Sequence, residues 1–172
     1  MRLENKIAVV TGAASGLGKA IVEKFLEEGS KVIIVDINED AGRELSENLG
    51  PRTLAVSADV GDANSIENLK KSITESFKTV DIVVNNAGVT HLPTPLDKVT
   101  EEDFDRVFRV NCKSVYLMAK AFVPNMKSQG SGSILNIAST AGVSPRPNLN
   151  WYNSSKGWMN TATKTMAVEL AP

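Results

Sequence analysis

Apolar residues fall along the chain in short dense runs, separated by stretches in which they recur every three or four positions, and this alternation predicts strands and helices in turn. Lys6-Ile7-Ala8-Val9-Val10-Thr11 is β-branched and apolar with no polar alternation, the pattern of a strand buried on both faces. Further strands are expected at residues 31–35, 52–56, 80–84 and 132–137. Helical periodicity occupies about residues 19–26, 40–49, 65–77, 100–127 and 151–170. The fourth helix opens on Thr100-Glu101-Glu102-Asp103, a cap followed by acids in the first turn. Its apolar positions, Phe104, Val107, Phe108, Val110, Val115, Leu117, Met118, Ala121 and Phe122, are broad enough to cover a sheet face and leave apolar surface for a partner. The order βαβαβαβαβα predicts an α/β fold, a doubly wound parallel sheet with helices on both faces.

Length and composition narrow the possibilities. A chain of 172 residues suits a single domain, and 42% hydrophobic with 23% charged residues is the make-up of a globular protein. Net charge is −1 with both signs interspersed, which argues against nucleic acid and anionic membrane and for a small-molecule partner. One cysteine, Cys112, excludes an internal disulfide and fits a reducing compartment, and one histidine leaves no Cys/His zinc set. No signal-peptide core and no eighteen-residue apolar run is present, so a cytoplasmic protein is expected.

The joints between elements carry the chemistry. After the first strand comes Gly12-Ala13-Ala14-Ser15-Gly16-Leu17-Gly18, then a helix: a turn whose glycines admit close approach of a pyrophosphate, with helix amides supplying positive potential. Asp36 ends the second strand eighteen residues past Gly18, near the ~20-residue spacing at which a carboxylate meets ribose hydroxyls. It would repel a 2′-phosphate, which favours NAD over NADP; its alternative is to cap the next helix. Asp59 and Val60 follow the third strand, where Asp59 either accepts from an adenine amino group, with Val60 against the ring, or caps the following helix. Asn85-Asn86-Ala87-Gly88 closes the fourth strand with paired amides and small residues that leave room for a flat ligand. Residues 89–99, with Pro93 and Pro95, read as a loop over the site, and the lone His91 in it as solvated. Asn111 is a poor helix-interior residue, so it either finds a backbone partner or holds a functional water.

Ser139, Tyr152 and Lys156 are the candidate reactive group, although a tyrosine and a lysine four apart also recur by chance, so the context has to carry the reading. Tyr152 and Lys156 lie four apart at the start of the last helix and share a face. Tyrosine ordinarily titrates near ~10, and an ammonium within ~4–6 Å favours its phenolate. Ser139, just past the fifth strand, brings a hydroxyl to the same cleft, and residues 140–149, with Gly142, Pro145 and Pro147, form a wall of it. Arg146 in that wall faces either solvent or an anionic substrate.

Taken together, Thr11-Gly12-x-x-x-Gly16-x-Gly18, Asp36, Asp59-Val60, Asn85-Asn86-Ala87-Gly88, Asn111, Ser139 and Tyr152-x-x-x-Lys156 resemble the classical short-chain dehydrogenase/reductase family, in the family's order and across essentially the whole chain. The resemblance implies a Rossmann-like fold and hydride transfer between a nicotinamide and an alcohol or ketone, of the 3-oxoacyl-thioester, sugar or secondary-alcohol type. It implies Tyr152 as general acid/base, Lys156 as the group that tunes it and holds the nicotinamide ribose, and Ser139 as the donor to the substrate oxygen. It also implies that Asn111 anchors a water leading to Lys156, and that the chain forms dimers or tetramers through the helices near 100–127 and 151–170. The family continues past the tyrosine helix with two more strands and a substrate lid, which this sequence lacks; a C-terminally truncated chain ending at Pro172 is therefore expected. The alternative function is an NAD-binding module or inactive regulatory subunit, and a further one is a chain that folds only by docking with intact subunits.

Overall fold

Strands with apolar side chains on both faces need cover on both, and the chain provides it by winding in two directions from a central strand. A computed structural model describes residues 1–77 and 79–171; Pro172, where the sequence stops, lies outside them. The strands are β1 (Ile7–Thr11), β2 (Lys31–Asp36), β3 (Thr53–Ser57), β4 (Ile82–Asn85) and β5 (Ser133–Asn136), all parallel and in the order β3-β2-β1-β4-β5. The helices are α1 (Gly16–Glu27), α2 (Glu39–Leu49), α3 (Ala63–Ser76), α4 (Glu101–Phe108), α5 (Ser114–Gln129) and α6 (Asn150–Leu170).

Side chains alternate across the pleat, so each strand feeds two cores. Val9, Ile33, Val35 and Val83 pack with Ile66, Leu69 and Ile73 of α3 and with Leu117, Met118 and Phe122 of α5. Val10, Val32, Ile34 and Val84 pack with Val22 and Leu26 of α1 and Leu45 of α2 on the opposite face. Ile33 and Ile34 are both fully buried, one to each side, and each contributes roughly 1.5–3 kcal/mol of hydrophobic stabilisation.

The expected continuous helix over residues 100–127 is interrupted. Arg109–Lys113 forms a π turn between α4 and α5, and the widened turn carries Asn111 and Cys112 inward. Its apolar stripe is also largely consumed within the chain: Val107, Val115, Leu117, Met118, Ala121 and Phe122 are buried, while Phe104 stacks on Phe108 and meets Trp151 of α6 edge-on. Tyr116 is the large exposed side chain left on α5. Strand order reverses between β1 and β4, and their carboxyl ends open the crevice where ligands of such sheets bind.

Candidate active site

Backbone packing shapes the β1 side of this crevice. Thr11 Oγ1 accepts from the backbone N–H groups of Asn86 and Ala87 at 3.1 and 3.0 Å, and Asn86 Nδ2 donates to the carbonyls of Thr11 and Gly12 at 2.9 and 3.0 Å. The turn after β1 and the turn after β4 are thereby laced together. Gly12 has φ +60, and a methyl group there would fall 2.9 Å from Ala87 Cα. A methyl group on Gly18 would fall 2.1 Å from the Gly12 carbonyl oxygen, so no side chain fits. Ser15 sits at the N-cap of α1 in extended conformation, its hydroxyl making no capping bond, with exposed Leu17 beside it. The first amides of a helix lack intrahelical partners and carry its positive end, so this turn could accept an anion.

Both open questions about capping acids are answered by neighbours. Asn38 Oδ1, not Asp36, accepts from the α2 amide of Ala41, while Asp36 accepts from Ala14 N at 2.9 Å and Asn38 N at 3.0 Å. Asp36 is thus pinned between the glycine turn and a small hollow bordered by Asn38, Gly42, Arg43 and Ser57. Asp62, not Asp59, caps α3. Asp59 accepts from Gly61 N and pairs with Arg109 of the π turn. Burial pushes the Asp59 carboxyl up, but the Arg109 guanidinium and the Gly61 N–H together outweigh it and hold the group below its ordinary range. Val60, expected against the adenine ring, is 7% exposed and belongs to the core cluster with Ala58 and Ile66.

On the α6 side, polar side chains do the shaping. Tyr152 lies in the first turn of α6, half-buried, and Lys156 one turn later is only 5% exposed. Lys156 Nζ donates to the Ile137 carbonyl at 2.9 Å; burial lowers its pKa, opposed by the nearby Cys112. Asn111 has no exposed surface, and its Nδ2 donates to Val89 O at 2.9 Å and to Ser155 Oγ at 3.0 Å while its Oδ1 accepts from Val89 N at 2.9 Å. Ser155 in turn donates to the Tyr152 carbonyl at 2.7 Å. A methyl group on Gly88 would lie 3.4 Å from both Asn111 Oδ1 and Lys156 Nζ, so these three positions converge. Ser139 Oγ accepts from Ala141 N at 3.1 Å and opens the short turn Thr140–Gly142, which packs so tightly on α6 that a methyl on Gly142 would meet the Lys156 backbone at 2.7 Å.

His91 departs from expectation: it is 1% exposed, with Nδ1 bonded to Leu92 O at 2.8 Å and Nε2 buried without a partner. Sequence reasoning also passed over Arg109, Ser155 and Asn153. Nothing in the spacing of Arg109 and Asp59, fifty residues apart, announces their pairing. Asn153 carried a signal in being an amide directly after Tyr152 on the inner side of a helix.

The family model described as short chain dehydrogenase matches residues 6–172. The chain belongs to the short-chain dehydrogenase family. It is an oxidoreductase of that family, and similar proteins carry such names. A 4-formylbenzenesulfonate dehydrogenase of Comamonas testosteroni is 40% identical over 99% of this chain and 69% of its own length. Galactitol 2-dehydrogenase of Agrobacterium fabrum is 38% identical over 99% of this chain and 66% of its own. Among solved structures, a 3-ketoacyl-(acyl-carrier-protein) reductase from Brucella melitensis complexed with NADH superposes with a TM-score of 0.96 at 41% identity, covering 99% of this chain and 72% of that one. The chain therefore spans about two thirds to three quarters of the length of these short-chain dehydrogenases.

Proposed function

We propose that the chain is the dinucleotide-binding and catalytic part, a single domain over residues 1–172, of an NAD-dependent dehydrogenase or reductase acting on a small alcohol or ketone. The observation that carries this reading is the convergence of Gly88, Asn111 and Lys156 beside the glycine turn, with Tyr152 on the same helix face as Lys156. The glycine turn fits a dinucleotide because Gly12 and Gly18 leave no side chain in the way and α1 points its amides at the crevice. Gly12, Ser15, Gly16, Leu17 and Gly18 would hold the pyrophosphate, Asp36 the adenosine ribose, Asp59 and Val60 the adenine edge, and Asn86, Ala87, Gly88, Tyr152 and Lys156 the nicotinamide end. When bound, the nicotinamide supplies or accepts the hydride.

This chain's own residues then handle the proton and the oxygen. Tyr152 gives a proton to, or takes it from, the reacting oxygen through its phenol group. Ser139 steadies that oxygen as charge develops, and its backbone turn is already fixed against α6. Lys156 supplies a buried positive charge one turn from Tyr152, and Asn111 orders the floor between them and provides a place for a water leading to Lys156. NAD is favoured over NADP because two backbone amides hold the Asp36 carboxylate where a 2′-phosphate would meet it. Solved relatives include proteins complexed with NADH and with NADP+. The substrate reading is a secondary alcohol, sugar or 3-oxoacyl thioester, in keeping with relatives named galactitol 2-dehydrogenase and 3-oxoacyl-(acyl-carrier-protein) reductase.

Assembly into homodimers or homotetramers through α4–α5 and α6 is supported by exposed Tyr116, Trp158 and Val168 on these helices. A cytoplasmic location is the reading that fits a chain whose single cysteine, Cys112, is buried and unpaired. No helix among the described residues is long and apolar enough to cross a membrane. A second reading, an NAD-binding module without turnover, is favoured by the open flank of β5, where a groove of about 700 Å³ runs between α5 and α6.

One pair of measurements separates the two readings. NADH absorbance during turnover of an alcohol and ketone panel should fall about 10²–10⁴-fold in Tyr152→Phe, while calorimetric NAD binding persists. Undiminished turnover by Tyr152→Phe overturns the acid/base assignment, binding without any turnover favours the module, and NADP preference overturns the role given to Asp36.

A further inference from the structure

We propose that Asn153 is a positioning residue that sets the width of the substrate cleft, and with it substrate preference, by tying the 144–148 wall to the helix turn that carries Tyr152. The role of the walls rests on the dehydrogenase reading above. Asn153 directly follows Tyr152 and is buried, and its Nδ2 donates to the Arg146 carbonyl at 2.7 Å. A carbonyl only accepts, so the amide's orientation is fixed, and its Oδ1 is buried on the other side with no partner. Among the described residues this is the single side-chain hydrogen bond that reaches residues 144–148. The wall is otherwise exposed; Ser144 N donates to Thr140 O at 2.7 Å where it begins, and Pro145, Pro147 and Asn148, the last in the left-handed region at φ +62, stiffen it from within.

The tie extends across the cleft. Asn148 O accepts from Thr94 N at 2.8 Å, and Thr94 lies in the facing wall between Pro93 and Pro95. Thr94 Oγ1 donates to Leu92 O, the same carbonyl that His91 Nδ1 holds from the buried side. A run of hydrogen bonds therefore leads from the residue beside Tyr152, through 146–148, to 92–94. The near wall is tied to the Tyr152 turn by the Asn153 amide, and the facing wall follows through the Thr94–Asn148 backbone bond. Misplacement of a bound substrate by about 1 Å can cost on the order of 10²-fold in rate, so a device that fixes wall position selects among substrates by size.

Asn153→Asp keeps the shape but removes the donor and sets a carboxylate against the Arg146 carbonyl. Asn153→Ala removes the tie without adding charge, and because Arg146 is exposed its carbonyl can turn to water, so this variant is expected to fold. In hydrogen exchange on the intact protein, loss of one hydrogen bond should speed exchange of the Thr94 amide and the 143–148 segment about tenfold, with amides of Val9, Ile33 and Val84 unchanged. In kinetics, the ratio of kcat/KM between bulky and compact substrates should shift about tenfold, chiefly through KM, with NAD affinity held within about twofold. Parent-like exchange in the walls of both variants overturns the tie. Loosened walls with every substrate slowed by one common factor overturn the specificity role. A parent protein that binds NAD but turns over nothing removes the dehydrogenase reading and the specificity role together, while the exchange result still decides the tie.

Discussion

At the end of β1 the crevice is made by leaving side chains out, whereas at the start of α6 it is made by packing polar side chains in. Gly12 and Gly18 let two backbone turns touch, with Asn86 sewing them together through carbonyls. Across the crevice, Asn111, Ser155 and Lys156 are buried polar groups held by one another and by the backbone. The first region tolerates no added volume at Gly12 or Gly18. The second tolerates no lost hydrogen bond, and it carries a buried charge whose cost depends on pH.

The largest expected effect breaks the first region by size alone. Gly18→Ala places a methyl 2.1 Å from the Gly12 carbonyl and 2.6 Å from Asn86 Nδ2, so the turn has to open. Overpacking of this kind costs about 3 kcal/mol, read from the denaturant midpoint, and NAD binding is lost with it. Leu17→Ala, one residue earlier but exposed, should stay within about 0.5 kcal/mol. Similar stability of the two variants would show that the turns do not meet as described.

The contrast between the regions also explains what the sequence disclosed. Dense apolar runs mark a strand wherever both faces are covered, so β1, β2, β4 and the parallel, doubly wound sheet they imply were legible, and the glycine turn was legible because glycine has few other reasons to recur there. Tyr152, Lys156, Ser139 and Asn111 were singled out by spacing and resemblance, and the fold brings Asn111 and Lys156 together at Gly88. What stayed hidden depends on contacts between distant residues. The π turn coincides with the bonds of Asn111 to Val89 and Ser155, distant in sequence, and His91 is buried within the loop that follows β4. Capping by Asn38 and Asp62 instead of Asp36 and Asp59 is a shift of two or three residues that helix propensity alone does not resolve.

A medium effect probes the second region by charge. Burial depresses the Lys156 pKa below its ordinary 10.5 in the folded protein. Between that lowered value and 10.5 the unfolded chain binds more protons, so stability rises as pH climbs through the window. Each pK unit of depression is worth about 1.4 kcal/mol of penalty at lower pH. Lys156→Met removes the charge but strands the Ile137 carbonyl, so its absolute stability mixes two effects; the slope does not. Unfolding free energies from pH 7 upward should rise with pH in the parent relative to Lys156→Met, and parallel curves would mean that the amine is solvated.

Cys112 offers the smallest and cleanest contrast, since it lies in the π turn against the Ser155 carbonyl at 3.7 Å and shares the pocket of Lys156. Burial pushes its thiol from 9.0 up to about 11, with Lys156 pulling weakly the other way. Two pK units leave about 100-fold less thiolate at pH 8, so alkylation of the folded protein should run at least that much slower than that of the urea-unfolded chain. The linkage has the opposite sign to that of Lys156. The folded thiol keeps its proton where the unfolded one has lost it, so the contribution is complete below 9.0 and disappears as pH rises to about 11. Cys112→Ala should therefore flatten the alkaline fall in stability without altering NAD affinity. Alkylation at the unfolded rate would place the thiol in water and remove the buried floor from beneath Lys156.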